Sequence, residues 1–382
     1  MHESKIRDEE LCFYDKKKLK TQQIIQLPSA EKWGYTMFKF QKSKMLLATG
    51  LLAMAGTANA GYTFDLSDND KLSFGGFIKV DARYIDGNVG YKKFWTGSGA
   101  PLAEDASQFK MFANESRFNT KYVHGDVTGF IEMDFYGSAG NEIISNSDNP
   151  RLRHAFIKYK NVTVGQTWTT FMNTSALAET ADFGGPMVGE AFVRNTQVRY
   201  TMGNFQVSLE NPETFGGDTA NDSMPDVIGK YTFKGDWGNV SVAGLFRQLS
   251  VDADNDETGV GYSVAGRIKT TGKDDIRFQL HGGNTGRYVG VAAAKDIVNG
   301  EAEESVSYMA AYRHYWNDTT RSSVFYGNIT TDESDIDHTH WGVNLFKNFT
   351  KQLSFGVEVG QFTQDESDTD SFYTQFSAKY VL

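Results

Sequence analysis

The sequence predicts an all-β protein, a transmembrane antiparallel β-barrel of about sixteen strands. After residue 61, apolar and polar side chains alternate with a period of two over long segments. Short connections between these segments alternate with long ones. The chain combines 14% aromatic residues and 38 glycines with only 6 prolines. This composition suits a wall that faces lipid on one side and water on the other.

The composition also excludes several classes of protein. The single cysteine, Cys12, excludes a disulfide framework and a cysteine-based zinc site. The formal net charge is −10, and nucleic-acid binders instead need a clustered basic face. We therefore expect no nucleic-acid partner and no cofactor.

The segment 37–60 has the pattern of a signal peptide. Lys39, Lys42 and Lys44 precede an apolar stretch over 45–58, and the segment ends in Ala58-Asn59-Ala60. The apolar stretch is shorter than the ~20 residues that a membrane-spanning helix needs. The sequence therefore predicts export to the cell outer membrane, with cleavage after Ala60.

Residues 1–36 are charged and irregular, and two interpretations remain open. Translation starts at Met37 and the first 36 residues are an upstream mis-start, or the segment is an extended leader. In both cases cleavage removes Cys12. Residues 1–60 contain ten basic and six acidic side chains, so the remaining chain has 28 basic and 42 acidic residues, a net charge of −14.

The barrel domain is predicted over 61–382. In 72–84, for example, Phe74, Ile78 and Val80 alternate with Lys79 and Asp81. A soluble β-sandwich is the alternative, but the polar faces are too charged for burial between two sheets. The predicted strands are 72–84, 115–124, 127–137, 151–160, 162–171, 193–202, 204–210, 226–234, 239–249, 260–270, 275–284, 305–315, 320–330, 339–348, 352–363 and 371–382.

The lengths of the connections predict the orientation of the barrel. Short turns, such as 125–126, 161 and 271–274, are expected on the periplasmic rim, and long loops on the extracellular rim. The predicted long loops are 85–114, 138–150, 172–192, 211–225, 250–259, 285–304, 331–338 and 364–370.

A barrel of about sixteen strands is too wide for side chains to fill, so its lumen holds water. Charges of both signs on the inward faces would then act on solutes, and arginines would favour anions through two-pronged pairing with carboxylates. The alternative is that these charges only pair with each other and keep the wall wet. The candidate pore-lining residues are Lys79, Arg83, Arg117, Lys121, Arg153, Arg199, Glu132 and Asp134. The pattern assigns further charged side chains to the inward faces: Lys230, Arg247, Arg267, Lys269, Arg277, Arg313, Asp81, Glu115 and Glu358.

The third long loop, 172–192, is a candidate constriction loop. Gly184 and Gly185 would allow the sharp bends of a loop that folds inward, and Glu179 and Asp182 could face the basic wall. The alternative is an ordinary surface loop.

No motif predicts catalysis or metal binding. The chain has no Gly-x-Ser-x-Gly sequence, and the pair His338-x-His340 is weak evidence for a metal. Asp252-x-Asp254-x-Asp256 lacks the glycine and the final glutamate of a calcium loop. We expect no catalytic residues and no metal site.

Two stretches carry a resemblance to a known family. The segment 151–156, followed by 164–172, resembles the strand pair before the constriction loop of DcaP-like outer-membrane porins, and 225–231 resembles a porin strand opening. General Gram-negative porins are similar at a greater distance, but Gly165-Gln166 lacks their intervening arginine. The chain departs from the resemblance in two ways. DcaP-like chains often have a polar helical segment before the barrel, and here only 61–71 precedes it. The last residue is Leu382 instead of the phenylalanine that is usual for barrel assembly.

The resemblance implies a trimer of sixteen-stranded barrels that takes up small organic anions. Together with the alternating strands, it predicts a passive diffusion channel for small hydrophilic solutes, favouring anions such as dicarboxylates. Outer-membrane lipid, lipopolysaccharide and the barrel-assembly machinery are the other expected partners. The alternative is a receptor or adhesin barrel that acts through its acidic loops and conducts little.

Overall fold

The computed structural model describes residues 61–382, and these form a closed antiparallel β-barrel with sixteen strand positions. This confirms the predicted fold class and strand number. The predicted segments 1–36 and 37–60 lie outside the described residues. Among the described residues, no helix is both long and apolar enough to cross a membrane.

Most strands overlap the predicted segments, but β1, β3, β14 and β15 do not. They are β1 (Tyr62–Asp65), β2 (Asp70–Val89), β3 (Pro101–Phe112), β4 (Arg117–His124), β5 (Val127–Asn141), β6 (Ser147–Tyr159), β7 (Val162–Trp168), β8 (Arg194–Met202), β9 (Phe205–Glu210), β10 (Asp226–Gly235), β11 (Gly238–Ser250), β12 (Asp256–Lys269), β13 (Asp275–Gly283), β14 (Ile297–Val298), β15 (Glu301–Ala302), β16 (Ser305–Tyr315), β17 (Thr320–Thr331), β18 (Asp337–Asn348), β19 (Leu353–Gln364) and β20 (Thr369–Val381).

Helical segments occur only as single turns in the loops of the described chain. They are α1 (Glu142–Ser145) and the 3₁₀ turns Thr96–Ser98, Thr174–Ala176, Met187–Gly189, Thr219–Asn221, Gly286–Tyr288, Gly290–Ala292 and Asp365–Ser367.

The barrel closes between the first long strand and the last one. Strand β2 pairs with β20 in a register that runs from Phe77 opposite Val381 to Gly87 opposite Ser371. The other edge of β2 is shared, because β4 pairs with its first half and β3 with its second half. Strands β3 and β4 therefore occupy one position in the barrel.

Strand β3 lies in a segment, 85–114, that the sequence predicts as a loop. Its exposed face carries Asp105 and Ser107, so it lacks the alternation of apolar and polar residues that marks the other strands. The extended end of β2 nevertheless provides a hydrogen-bonding edge for it. Strands β5 and β6 likewise extend into the predicted loop 138–150.

The alternation of side chains sets the two surfaces of the wall. On β11, Val242 and Phe246 are exposed on the outer surface, whereas Ala243, Leu245 and Arg247 point inward and are buried. Period two thus separates a lipid-facing surface from the lumen.

The hydrophobic core lies inside the barrel rather than between two sheets. Long loops fold inward and pack their apolar side chains against inward residues of the wall. The core includes Phe171, Met172, Phe183, Met187 and Val188 from 169–193, and Tyr288, Val289 and Ala294 from 284–304.

We predict that Val242→Arg destabilises the barrel, because Val242 is 46% exposed in the central part of β11 and faces lipid. An arginine near the bilayer midplane costs about 2–4 kcal/mol. Urea unfolding in lipid vesicles, followed by tryptophan fluorescence, measures the change, with Val242→Leu as the control. An unchanged free energy of unfolding for Val242→Arg would contradict the outward assignment.

Candidate functional site

The loop 172–192 crosses the lumen and is held by charged residues of the wall. Asp182 pairs with the Arg83 guanidinium, and both side chains are buried. The backbone N–H groups of Ala181 and Asp182 donate to the two Glu358 carboxylate oxygens at 2.7 and 3.1 Å. Lys79 Nζ donates to the Ala181 carbonyl oxygen at 2.8 Å. Strands β2 and β19 therefore fix this part of the loop.

The beginning of the loop is fixed on the opposite side of the barrel. Lys230 Nζ donates to the Met172 carbonyl oxygen at 2.8 Å. The Asn173 amide donates to Ser241 Oγ and to the Ala265 carbonyl oxygen, both at 3.0 Å. Attachment at its beginning and at its middle, on opposite sides of the barrel, explains why the loop lies across the bore.

Gly184 and Gly185 make the bend that the sequence predicts. Their φ angles are +78° and +91°, in the region that favours glycine. The chain then turns back toward the wall through the 3₁₀ turn Met187–Gly189.

A charged cavity lies in the lumen beside the loop, on the side of the short turns. It has a volume of about 560 Å³, and we call it the vestibule. Seven basic and four acidic side chains line it. The basic residues are Lys79, Arg117, Arg267, Arg277, Arg313, Arg321 and Lys379, and the acidic residues are Glu115, Glu132, Glu179 and Asp182.

Four of these arginines form a row across β12, β13, β16 and β17, and we call them the arginine row: Arg267, Arg277, Arg313 and Arg321. Their positions follow from the strand registers, in which Arg267 lies opposite Arg277 and Arg313 lies opposite Asp275. Period two on four neighbouring strands therefore turns all four side chains toward the lumen.

Within the described part of the chain, two carboxylates pair with the arginine row. Asp275 pairs with Arg267, Arg277 and Arg313 at 2.9, 2.7 and 2.6 Å. Glu179 of the loop pairs with Arg313 at 3.3 Å and with Arg321 at 2.7 Å. Four cations facing two carboxylates leave this wall with a surplus of positive charge.

The facing wall carries Lys79, Arg117 and Lys379. Lys79 pairs with Glu115 and, at 3.4 Å, with Asp81. Arg117 lies 3.7 Å from Glu115 and stacks over the Phe77 ring at 5.1 Å. Lys379 Nζ lies 4.0 Å from the centre of the same ring.

Arg153, Glu132 and Asp134 form a compact buried network. Arg153 donates to Glu132 at 2.9 Å and to Asp134 at 3.0 Å. Arg151 adds a two-pronged contact with Asp134, at 3.0 and 2.7 Å. These charges largely compensate each other, which corresponds to the pairing alternative in the sequence analysis.

The structure brings only part of the predicted site together. Lys79, Arg117, Glu132, Glu179, Asp182 and Gly184 line the vestibule. Arg83, Arg153 and Asp134 are buried behind it in ion pairs. Lys121 is exposed on β4, three residues before its periplasmic end, and Arg199 donates to the Trp168 carbonyl oxygen at 3.3 Å. Neither of these two lines the vestibule.

Two vestibule residues, Arg321 and Lys379, were absent from the sequence prediction. Both stand in phase with inward residues of their strands, Arg321 with Ser323 and Phe325, and Lys379 with Ser377. Period two could therefore have identified them.

The acidic residues of the loop differ in environment. Glu190 is fully buried, and its Oε1 accepts from the Ala178 N–H at 3.3 Å. Burial raises the pKa of the Glu190 carboxyl well above its ordinary value. This favours the protonated form of Glu190. Burial also opposes ionisation of Glu179, but the Arg321 hydrogen bond and the nearby arginine charges together outweigh it and lower the pKa of that carboxyl. Glu179 therefore adds more negative charge to the lumen than Glu190.

The histidines of the predicted weak metal pair have other partners. His338 Nε2 lies 2.7 Å from Glu366 Oε1, and His340 Nε2 lies 3.0 Å from Tyr373 Oη. Within residues 61–382, no group of three or more His, Cys, Asp or Glu side chains is arranged to hold a metal ion.

Solved structures of porins have the same fold. The crystal structure of the outer membrane channel DcaP of Acinetobacter baumannii matches with a TM-score of 0.73 and 23% identity, over 84% of this chain and 99% of that one. An anion-selective porin from Comamonas acidovorans matches with a TM-score of 0.55 and 11% identity, over 82% of this chain and all of that one. The trimer form of OmpT from Vibrio cholerae matches with a TM-score of 0.53 and 15% identity, over 82% of this chain and all of that one.

Sequence comparison identifies the family. The search of curated proteins found no match. The family model for the DcaP outer membrane protein matches residues 12–365, which is most of the chain. This chain, with its porin-type barrel, belongs to the DcaP outer membrane protein family.

Proposed function

We propose that this protein is a passive outer-membrane diffusion channel that favours small organic anions such as dicarboxylates. Family membership and fold support the channel. The charge of the vestibule carries the preference for anions, because seven basic side chains face four acidic ones there. The chain as a whole is acidic, so the preference arises from where the charges lie.

The arrangement of the basic residues suits carboxylates. Guanidinium groups bind a carboxylate through two parallel hydrogen bonds, and the arginine row presents several such groups side by side. Lys79, Arg117 and Lys379 lie on the facing wall. A solute with two carboxylates could therefore pair with both walls, whereas a neutral sugar of the same size has no such partners.

The loop 172–192 would act as the constriction. Its Glu179 and Asp182 pair with Arg321 and Arg83 on the wall, so the loop narrows the bore from a fixed position. Pairing also neutralises these two carboxylates, which would otherwise repel an entering anion.

Assembly and export follow from the same proposal. The trimer form of OmpT, which shares the fold, supports a homotrimer. We expect cleavage after Ala60, insertion by the barrel-assembly machinery, and contact with outer-membrane lipid and lipopolysaccharide.

The second candidate is a receptor or adhesin barrel with little conductance. The apolar core inside the lumen favours it, because packed loops reduce the free bore. Solute flux distinguishes the two candidates.

Liposome swelling tests the proposal directly. With the protein reconstituted in vesicles, we expect faster swelling in a small dicarboxylate than in a neutral sugar of equal size. Vesicles without protein are the control. Equal rates would contradict the preference for anions, and no swelling in either solute would favour the receptor.

We predict that Arg313→Gln or Arg117→Gln lowers the ratio of anion to cation permeability. The interaction between two unit charges about 4 Å apart in water is about 1 kcal/mol, so we expect the permeability ratio to fall by roughly fivefold at most. The reversal potential in a salt gradient measures the ratio. Lys121→Gln removes the same charge outside the vestibule and is the matched control. If Lys121→Gln lowers the permeability ratio as much as Arg313→Gln or more, the assigned site is contradicted.

We predict that Asp182→Asn loosens the loop 172–192, because it leaves the buried Arg83 without its carboxylate. Breaking a buried pair typically costs about 3–5 kcal/mol. Hydrogen–deuterium exchange of peptides from 172–192 should speed up. Lys273→Gln, which breaks the exposed pair with Asp318, should leave exchange there unchanged. Unchanged exchange in Asp182→Asn would show that the pair does not anchor the loop.

A further inference from the structure

We propose that a second loop, 284–304, also constricts the lumen and sets its bore together with 172–192. The inference rests on the proposed channel function. The sequence predicts 285–304 only as a long loop of the extracellular rim. The position of 284–304 in the lumen suggests the further role.

The tip of the loop 284–304 is inside the barrel. Tyr288, Val289 and Ala294 have no exposed surface. A Cβ atom added at Gly290 would lie 2.9 Å from Ile329 Cδ1, an inward side chain of β17. The loop therefore reaches from the rim above β13 to the inner surface of the wall.

The two loops are joined to each other by backbone contacts. Ala191 and Val289 form an antiparallel β-bridge. The Phe192 N–H donates to the Tyr288 carbonyl oxygen at 3.1 Å, and the Gly290 N–H donates to the Glu190 carbonyl oxygen at 3.2 Å. The loop 284–304 thus supports the constriction loop from behind.

A buried ion-pair network fixes the loop to the wall. Asp296 pairs with Arg247 of β11, and its Oδ2 accepts from the Phe215 N–H at 2.8 Å. Arg247 also contacts Asp226 at 3.2 Å. The side chains of Arg247, Asp226 and Asp296 have no exposed surface.

Tyr288 is tied to the same network. Its hydroxyl donates to Asp226 Oδ2 at 2.7 Å, and Arg287 Nη2 donates to the same oxygen at 3.1 Å. Buried charges are costly unless they are well paired. A network of this kind holds one position of the loop rather than a range of positions, as a fixed constriction requires.

The test uses two variants that release the loop in different ways. Asp296→Asn removes the charge that pairs with Arg247. Gly286→Ala keeps every charge, but Gly286 has a φ of +36° and its added Cβ would meet Asp296 Oδ1 at 1.6 Å. Arg247 and Asp296 do not line the vestibule. Should Asp296→Asn fail to fold, Gly286→Ala gives the same readout.

Single-channel recording in planar bilayers measures the bore. We expect both variants to conduct more than wild type, on the order of twofold, because ion flow increases with the free cross-section. The reversal potential of Gly286→Ala should stay that of wild type, because the vestibule charges are intact. Lys273→Gln on the rim is the control and should conduct as wild type.

A disulfide provides the reverse test. Residues 61–382 contain no cysteine, so Ala191→Cys with Val289→Cys introduces one pair across the β-bridge. In the Gly286→Ala background, the oxidised cysteine pair should restore the wild-type conductance. Reduction of the disulfide should return the conductance to that of Gly286→Ala.

The outcomes separate the two proposals. Larger conductance in both loop variants, reversed by the disulfide, supports a second constriction. Wild-type conductance in folded Asp296→Asn and Gly286→Ala overturns it and leaves the channel function intact. Absence of conductance steps in the wild type overturns the channel function and this inference with it.

Discussion

The two-residue period of the strands is the constraint on which the structure depends. Every second side chain must suit lipid, and the ones between must suit a wet lumen. On β11 this places Val242 and Phe246 outside and Arg247 inside. Inward charged side chains therefore have two roles. Some could select a solute, and others at neighbouring inward positions hold the loops.

Two uses of charge follow inside the lumen. Deep in the wall, Arg83, Arg153 and Arg247 are buried and matched by carboxylates, so they hold loops and strands in place. Around the vestibule the matching is incomplete, and four arginines face Asp275 and Glu179. The incomplete set is the one that can attract a dissolved anion. The acidic character of the whole chain conceals this local surplus.

The sequence was sufficient for the fold because the fold depends on a local pattern. Strand number and most strand limits follow from period two and from the turn residues. Strand β3 was missed because Asp105 and Ser107 interrupt the pattern where the strand is stabilised by pairing with β2.

The site was harder to predict because its partners are distant in sequence. Arg83 and Asp182 are 99 residues apart, and Glu179 and Arg321 are 142 apart. Period two assigns Lys121 to the inner face but gives no depth, and its place near the end of β4 leaves it exposed outside the vestibule. The inward path of 284–304 depends on Asp296 reaching Arg247, which no local motif indicates.

The measurement that tests the central claim most directly is the reversal potential of the wild-type channel in a potassium chloride gradient. The surplus of basic side chains in the vestibule predicts discrete conductance steps and a potential whose sign shows that chloride permeates better than potassium. A potential of the opposite sign would contradict the account, because it would mean that the acidic loops rather than the vestibule control the passage of ions.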